Sequence, residues 1–254
     1  MSLLDSVVPA PRKIMTLFYL VDTSGSMMGD KLGAVNAAME EAIVHDLPDI
    51  SSANDDAEIR IAIMQFSSGC SWITPISGPI SIGDVIWNDL RPNGLTDFGA
   101  ACKELESKLS RKSFLNSTTG AYAPVILLFS DGAPTDDWKS GLELLKKNNW
   151  YKNAIKIAIA IGDDADKSVL AAFTGTMESV ITVHDKETLR KLIRTVSVRA
   201  SEFQSRSKQS SDNNTSEDDS IKIATESAAT VGGEPFKPVE GGGIDISAGD
   251  WEGW

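Results

Sequence analysis

Along most of the chain, apolar runs alternate with amphipathic segments. Residues 14–21 (IMTLFYLV) form an almost unbroken apolar run, which is typical of a strand covered on both faces. Over 31–44 the apolar residues recur at the spacing of one helix face. The same pattern continues, and it predicts strands at 58–66, 70–76, 125–129, 155–161 and 180–183, with helices at 82–90, 100–109, 138–148, 166–173 and 187–198.

This alternation predicts an α/β fold built on a doubly wound, mostly parallel sheet with right-handed crossovers. The Ser-Ser-Gly link between 58–66 and 70–76 is so short that it implies an antiparallel hairpin at one edge of the sheet. In such sheets, ligands bind beyond the carboxyl ends of the strands. The polar segments DTSGSM, GLTDFG and SDGAPTDD are therefore expected at that edge.

Composition narrows the functional classes. The chain has 254 residues and a formal net charge of −12, so it lacks the electrostatic attraction to phosphate on which general nucleic-acid binding depends. Its two cysteines, Cys70 and Cys102, cannot form a disulfide framework or a Cys-rich zinc site. The N-terminus lacks the pattern of a secretory signal, and no apolar run approaches the roughly 18 residues of a membrane span. We therefore expect a cytoplasmic protein that binds neither nucleic acid nor membrane.

The pattern divides the chain into an N-terminal extension (1–13), one α/β domain (14–200) and a C-terminal tail (201–254). The tail is rich in Ser, Asp, Asn, Gly and Thr and has few large apolar residues, so disorder is expected there. Its end carries Trp251 and Trp254 among acidic residues. That end could bind a partner, place Asp250 or Glu252 at the site described next, or serve only as a solubilising tail. The Ser/Thr-rich part at 205–230 is a candidate region for phosphorylation.

The candidate chemistry lies at the predicted ligand-binding edge. Asp22, Ser24 and Ser26 occupy alternate positions of a tight turn after a buried strand, so their side chains can point the same way. Thr96 and Asp131 arise in two other loops at this edge. Carboxylate and hydroxyl oxygens suit Mg²⁺ or Mn²⁺. Taken alone, Asp-x-Ser-x-Ser is also a pattern of turns and helix caps, and it is the convergence of three loops that favours a metal site.

The motifs strand-DTSGSM, GLTDFGAA and strand-SDGAPTDDW resemble those of the von Willebrand factor A (VWA) domain with its metal-ion-dependent adhesion site. The resemblance implies a VWA/Rossmann-like fold and a site for magnesium or manganese. Ser24, Ser26 and Thr96 would bind the ion directly. Asp22 and Asp131 would bind it directly or through water. A carboxylate from a protein partner would fill the remaining position, and no residue would be catalytic.

A closer resemblance, carried by DTSGSMMGDK, FGAACKELE and LFSDGAPTDDW, is to the bacterial tellurite-resistance TerY-like proteins. It implies a cytoplasmic stress or phospho-signalling assembly with a Ser/Thr kinase and a PP2C-type phosphatase. Some of these relatives carry a Cys/His-rich zinc module after the VWA domain. The tail of this chain contains neither Cys nor His, so a zinc role for it is not expected.

Two other functions compete with metal-dependent binding. In a haloacid-dehalogenase-type phosphohydrolase, Asp22 would be the nucleophile, but that family normally has a second Asp where this chain has Ser24. A metal-independent scaffold is the third class.

A serine hydrolase is not expected. His45 and His184 are not near a ligand-like loop, so a serine nucleophile would lack its usual base.

Acidic residues next to the candidate ligands have a simpler interpretation. Asp97, Asp136 and Asp137 stand just before predicted helices, where the helix dipole favours negative charge. We therefore expect them to cap the following helices rather than to steer a cation.

Overall fold

The computed structural model describes residues 12–54, 57–206, 215–232 and 234–235, and the statements below concern those residues. The strands are β1 Lys13–Asp22, β2 Ala57–Ser67, β3 Gly69–Trp72, β4 Ile80–Ser81, β5 Val125–Ser130, β6 Ile155–Ile161, β7 Val180–Val183 and β8 Glu234–Pro235. The helices are α1 Asp30–Glu41, α2 Leu47–Ala53, α3 Phe98–Lys108, α4 Trp138–Lys147, α5 Asn149–Lys152, α6 Lys167–Thr174, α7 Lys186–Arg206 and α8 Ser216–Val231. A π-helical turn joins α1 to α2, and short 3₁₀ turns lie at Gly25–Met27 and Ile82–Asp84.

The strands form one mixed sheet in the order β3-β2-β1-β5-β6-β7-β8, with β4 also paired to β2. The central strand β1 is parallel to both β2 and β5, and β6 and β7 continue the parallel part. The hairpin strand β3 is antiparallel to β2, as the short link predicts. Two very short antiparallel strands, β4 and β8, were not predicted. The predicted doubly wound, mostly parallel α/β fold is therefore confirmed.

Side chains of β1 alternate between two apolar layers. Leu17 and Tyr19 lie in the layer that includes buried residues of α1, α7 and α8. Phe18 and Leu20 lie in the layer formed with α3, α4 and α6. Because both faces are covered, almost every position of β1 is buried, which explains why its sequence is an apolar run without polar alternation.

The helix expected at 82–90 is absent from the structure. Only the 3₁₀ turn Ile82–Asp84 forms, and residues 85–97 are irregular. The Asn36 side chain on α1 accepts from Leu90 N and donates to Leu90 O, both at 2.9 Å. Those side-chain bonds satisfy backbone groups of Leu90 that a helix would have paired internally, and they fix Leu90 against α1.

The structure also differs from the expectation of a disordered tail beginning at 201. Helix α7 continues to Arg206, and α8 covers part of the sheet and of α7. On α8, Ile223, Ala224 and Ala228 are buried in the same layer as Val196 and Ala200 of α7. Small residues let α8 approach closely, so this segment packs without the large apolar side chains whose scarcity predicted disorder.

Helix α8 is held by specific polar contacts at its start and on its outer side. Thr215 and Asp218 form a reciprocal capping box at its start, and Ser220 Oγ accepts from Lys156 N of β6 at 3.1 Å. On the outer side, Arg199 of α7 is paired with Glu226. Residues 207–214, 233 and 236–254 lie outside the described residues, and so do the predictions for Trp251, Trp254 and the N-terminal residues 1–11.

None of the helices in the described part of the chain is both long and apolar enough to cross a membrane.

If α8 is an integral part of the core, shortening a buried side chain on it should destabilise the whole domain. We expect Ile223→Ala to lower the free energy of unfolding by about 2–5 kcal/mol, because it leaves a cavity between α8 and the layer beneath. Thr225→Ala, at an exposed position of the same helix, is the matched control and should have little effect. Urea unfolding followed by circular dichroism measures both. Equal midpoints for the two variants would contradict this packing role.

Candidate metal centre

The first loop begins where β1 ends, with a fully buried carboxylate. Asp22 Oδ1 accepts from Ser24 N at 2.8 Å, and Asp22 Oδ2 accepts from Ser130 Oγ at 2.6 Å. Burial raises the pKa of Asp22 above its ordinary value, although the bonds from Ser130 and Ser24 act in the opposite direction, and the nearby Asp131 carboxylate raises it further. A cation at this point would reverse the balance by favouring the ionised form.

The two serines of the first loop lie side by side. Ser24 Oγ and Ser26 Oγ are 3.0 Å apart, with Ser24 buried and Ser26 exposed. Thr23, between Asp22 and Ser24, faces the other way and donates from Oγ1 to Phe66 O of β2 at 3.2 Å. The alternate positions therefore share one side of the turn, as the sequence spacing predicts.

Backbone hydrogen bonds bring the second loop against the first. Gly25 N donates to Gly94 O at 3.1 Å, and Asn93 N donates to Thr23 O at 2.8 Å. A Cβ on Gly25 would lie 3.3 Å from Gly94 O, so glycine permits this close approach. Thr96, two residues after Gly94, is buried at the same edge of the sheet.

The third loop contributes Asp131 directly after β5. Its Oδ2 accepts from Lys31 Nζ at 3.2 Å, while its Oδ1 is buried and has no hydrogen-bond partner among the described residues. An unpaired buried carboxylate oxygen carries a large desolvation cost, so it marks a place where a further ligand would be stabilising. Lys31 also binds Asp164 at 2.8 Å, so its charge is shared between two carboxylates.

The predicted residues are thus held at one edge by three loops, and their chemistry fits a hard divalent cation. Two carboxylates and three hydroxyls supply only oxygen donors, which Mg²⁺ and Mn²⁺ prefer. Within the described part of the chain, no group of three or more His, Cys, Asp or Glu side chains is arranged to hold a metal. A cation at this edge would therefore depend on the hydroxyl groups as well as on the two carboxylates.

Sequence reasoning missed the two side chains that contact the predicted carboxylate ligands, those of Ser130 and Lys31. Ser130 is the last residue of β5, where a hydroxyl in an otherwise apolar strand is the only signal in the sequence. Lys31 reads as an ordinary helix residue, and its contact with Asp131 spans a hundred positions of the chain. Both roles arise from the pairing of distant elements.

The neighbouring acids act as structural supports, though not all as predicted. Asp137 caps α4 by accepting from Ser140 N, as expected. Asp136 accepts instead from the first backbone N–H groups of α3, at Gly99 (2.9 Å) and Ala100 (3.0 Å). Asp97 does not cap α3 and accepts from Gly69 N in the hairpin at 2.7 Å. The third loop therefore holds the start of α3, close to Thr96.

Two observations count against a nucleophilic role for Asp22 or for a serine of the first loop. Both oxygens of Asp22 accept hydrogen bonds and the residue is fully buried, which is poor placement for a nucleophile. His184 Nδ1 lies 3.3 Å from the exposed carboxylate of Asp163, His45 is exposed at the π-helical turn, and among the described residues neither is hydrogen-bonded to Ser24 or Ser26.

Comparison with known proteins agrees with this architecture. Residues 17–133, slightly less than half of the chain, match the family model of the von Willebrand factor type A domain. The match includes most of β1, all of β2 and β5, and the five candidate ligands Asp22, Ser24, Ser26, Thr96 and Asp131. No curated protein is similar enough to the chain to count as a match.

Solved structures extend the likeness beyond that segment. A von Willebrand factor type A protein from Catenulispora acidiphila is 16% identical with a TM-score of 0.53, over 75% of this chain and 43% of that one. The ArnB paralog VWA2 from Sulfolobus acidocaldarius is 16% identical with a TM-score of 0.52, over 73% and 46%. Proximal thread matrix protein 1 from the mussel byssus, with a zinc-occupied metal-ion-dependent adhesion site, is 20% identical with a TM-score of 0.54, over 74% and 48%.

This chain spans under half the length of each of these proteins, and at such identities the likeness establishes the fold alone. The fold is that of a VWA domain. Within the chain, 17–133 is the segment that carries the sequence match.

Helix α3 follows the second loop directly and packs closely against α4. A Cβ on Gly141 would lie 2.3 Å from Gly99 O, so the two helices touch through glycine. We expect Gly141→Ala to lower the free energy of unfolding by about 1–3 kcal/mol, because the backbones must separate.

The matched control is Gly33→Ala on α1, where an added Cβ meets nothing within 4 Å. That variant should be neutral or stabilising by up to about 1 kcal/mol, since alanine favours helix. Denaturant unfolding of the two proteins checks both expectations. A Gly141→Ala protein as stable as the control would rule out the tight crossing.

Proposed function

We propose that this chain is a binding module that holds Mg²⁺ or Mn²⁺ through Asp22, Ser24, Ser26, Thr96 and Asp131 and thereby binds a carboxylate of a protein partner. The observation that most supports it is the buried, unpaired Asp131 Oδ1 beside a loop whose two serine hydroxyls are 3.0 Å apart. The sequence match of 17–133 to the VWA domain and the metal-occupied site of the mussel protein support the same proposal.

The charge balance explains why such a site would bind an acidic partner. Three of the five proposed ligands are neutral hydroxyls, and one of the two carboxylates is already paired with Lys31. A bound divalent cation would therefore keep part of its positive charge and attract an Asp or Glu side chain. The chain's own residues would orient the ion and keep water from most of its surface, because Asp22, Ser24, Thr96 and Asp131 are all buried.

We further propose a cytoplasmic setting, in a stress or phospho-signalling assembly with a Ser/Thr kinase and a PP2C-type phosphatase. What supports this finer step is the resemblance of DTSGSMMGDK, FGAACKELE and LFSDGAPTDDW to TerY-like proteins. Those motifs surround the proposed metal ligands, so partner choice and metal binding would be linked in one region of the surface.

Metal binding is tested first, without any partner. We expect protein stripped with chelator to bind Mg²⁺ or Mn²⁺ in calorimetry, and the double variant Ser24→Ala/Ser26→Ala to lose at least about tenfold in affinity. Ser52→Ala, which removes an exposed hydroxyl on α2, is the control and should bind as the parent does. Unchanged affinity in the double variant would remove the two hydroxyls from the ligand set.

Partner binding is tested by affinity capture from native lysate with the full chain as bait. A kinase or phosphatase retained in Mg²⁺ should be released by chelator, because its carboxylate would lose the cation. The Ser24→Ala/Ser26→Ala bait should capture neither. Capture that survives both chelator and the substitutions would instead favour a metal-independent scaffold.

A further inference from the structure

The surface around the candidate metal centre differs in chemistry between its two sides. In the sheet, the order β1, β5, β6 places the first and third loops at the middle and the loop after β6 on one side. The second loop lies on the other side, against the first. Any segment bound at the centre would therefore contact two unlike surfaces at once.

On the side of the first and second loops, two large apolar side chains are exposed, and we call them the apolar rim: Met28 (67% exposed) and Leu95 (60%). The hydrogen bond from Gly25 N to Gly94 O joins the two loops. Met28 N donates to Gly25 O, and Leu95 follows Gly94, so the two side chains lie on either side of that hydrogen bond. Leu95 is also the neighbour of buried Thr96. When a partner covers exposed apolar side chains beside a proposed binding centre, their burial stabilises the complex.

On the side of the loop after β6, two carboxylates are exposed, and we call them the acidic rim: Asp163 and Asp164. The Asp163 side chain is 93% exposed, with His184 Nδ1 at 3.3 Å. Asp164 binds Lys31, whose charge is already shared with Asp131. The acidic rim therefore keeps net negative charge, which suits a basic group of a partner.

On the premise of the proposed function, we propose that the partner presents a short segment of defined polarity at this site. Its central Asp or Glu binds the cation, an apolar side chain on one flank covers Met28 and Leu95, and a Lys or Arg on the other flank pairs with the acidic rim. Arg91, exposed on the same irregular segment as Leu95, disfavours a basic residue on the apolar flank. The order apolar, acidic, basic along the segment would then determine which acidic proteins bind.

The test uses a phage-displayed library with a fixed central Asp and three randomised residues on each side, selected on the full chain in Mg²⁺. We expect the selected peptides to carry a Leu, Ile, Met or Phe on one flank and Lys or Arg on the other. Synthetic versions are then measured by fluorescence anisotropy. Met28→Ser/Leu95→Ser should weaken them about tenfold, and Asp163→Asn about two- to fivefold.

Matched controls separate rim contacts from general surface effects. Ile76→Ser removes an exposed apolar side chain away from the rims, and Glu202→Gln removes a charge near the far end of α7, and both should bind as the parent does. Because Leu95 is next to Thr96, the single variant Met28→Ser serves as a further control. Its Mg²⁺ affinity, measured by calorimetry, should equal that of the parent.

The outcomes distinguish this inference from its premise. Selected peptides that need Mg²⁺ and the central Asp, but show no flank preference or no response to the rim variants, overturn the polarity proposal and leave the proposed function standing. Peptides that bind equally in chelator, or equally with Asn at the centre, overturn both.

Discussion

The hydrogen bond from Ser130 Oγ to Asp22 Oδ2 joins the ends of the two central parallel strands, and the arrangement of the candidate centre depends on it. It holds a buried carboxylate at the point where β1 turns into the first loop, and it sets the position of Asp131, the next residue. The strands β1 and β5 are themselves fixed by burial on both faces. Burial of these apolar strands thus stabilises the sheet that holds the polar groups at its edge.

Those polar groups include more carboxylates than cations, since Lys31 faces Asp131 and Asp164 and lies at the same edge as Asp22. Asp22 and Asp131 repel each other, and the effect appears as part of the upward shift in the pKa of Asp22. Lys31 offsets one of the two charges and is in turn shared with Asp164. A lysine on a flexible side chain is a partial and movable counter-charge, whereas a divalent cation would satisfy both carboxylates at once. This difference gives the arrangement a reason to favour a metal over the ammonium group already there.

Much of the fold could be predicted from the chain alone, because it follows from patterns that are local. Runs such as 14–21 and 125–129 have no polar alternation, and the Ser-Ser-Gly link is too short for a crossover. The placement of the first and third loops at one edge follows from the parallel strands β1 and β5 that end there. The irregular path after Ile82–Asp84 could not be predicted, because the groups that hold it belong to Asn36, some fifty residues earlier.

The same limit applies to the supports of the centre. Asp136 binds the start of a helix that is not its own, and Lys31 meets Asp131 only after the sheet has formed. Helix α8 was missed for another reason: its buried face consists of one isoleucine and small residues, which in the sequence look like a polar, flexible segment. Hydropathy reports how much apolar surface each residue has. Whether small residues pack closely depends instead on the surface that faces them in the fold.

The position of α8 sets the minimum length at which this domain can be handled as an independent unit. A fragment ending at Ala200 would uncover the sheet face beneath Ile223 and would also lose the short strand Glu234–Pro235 that pairs with β7. Such a fragment would expose an apolar surface and an unpaired strand edge, and both promote aggregation. Loss of binding in it would therefore reflect a damaged scaffold, and shortened forms intended for binding experiments should extend through Pro235.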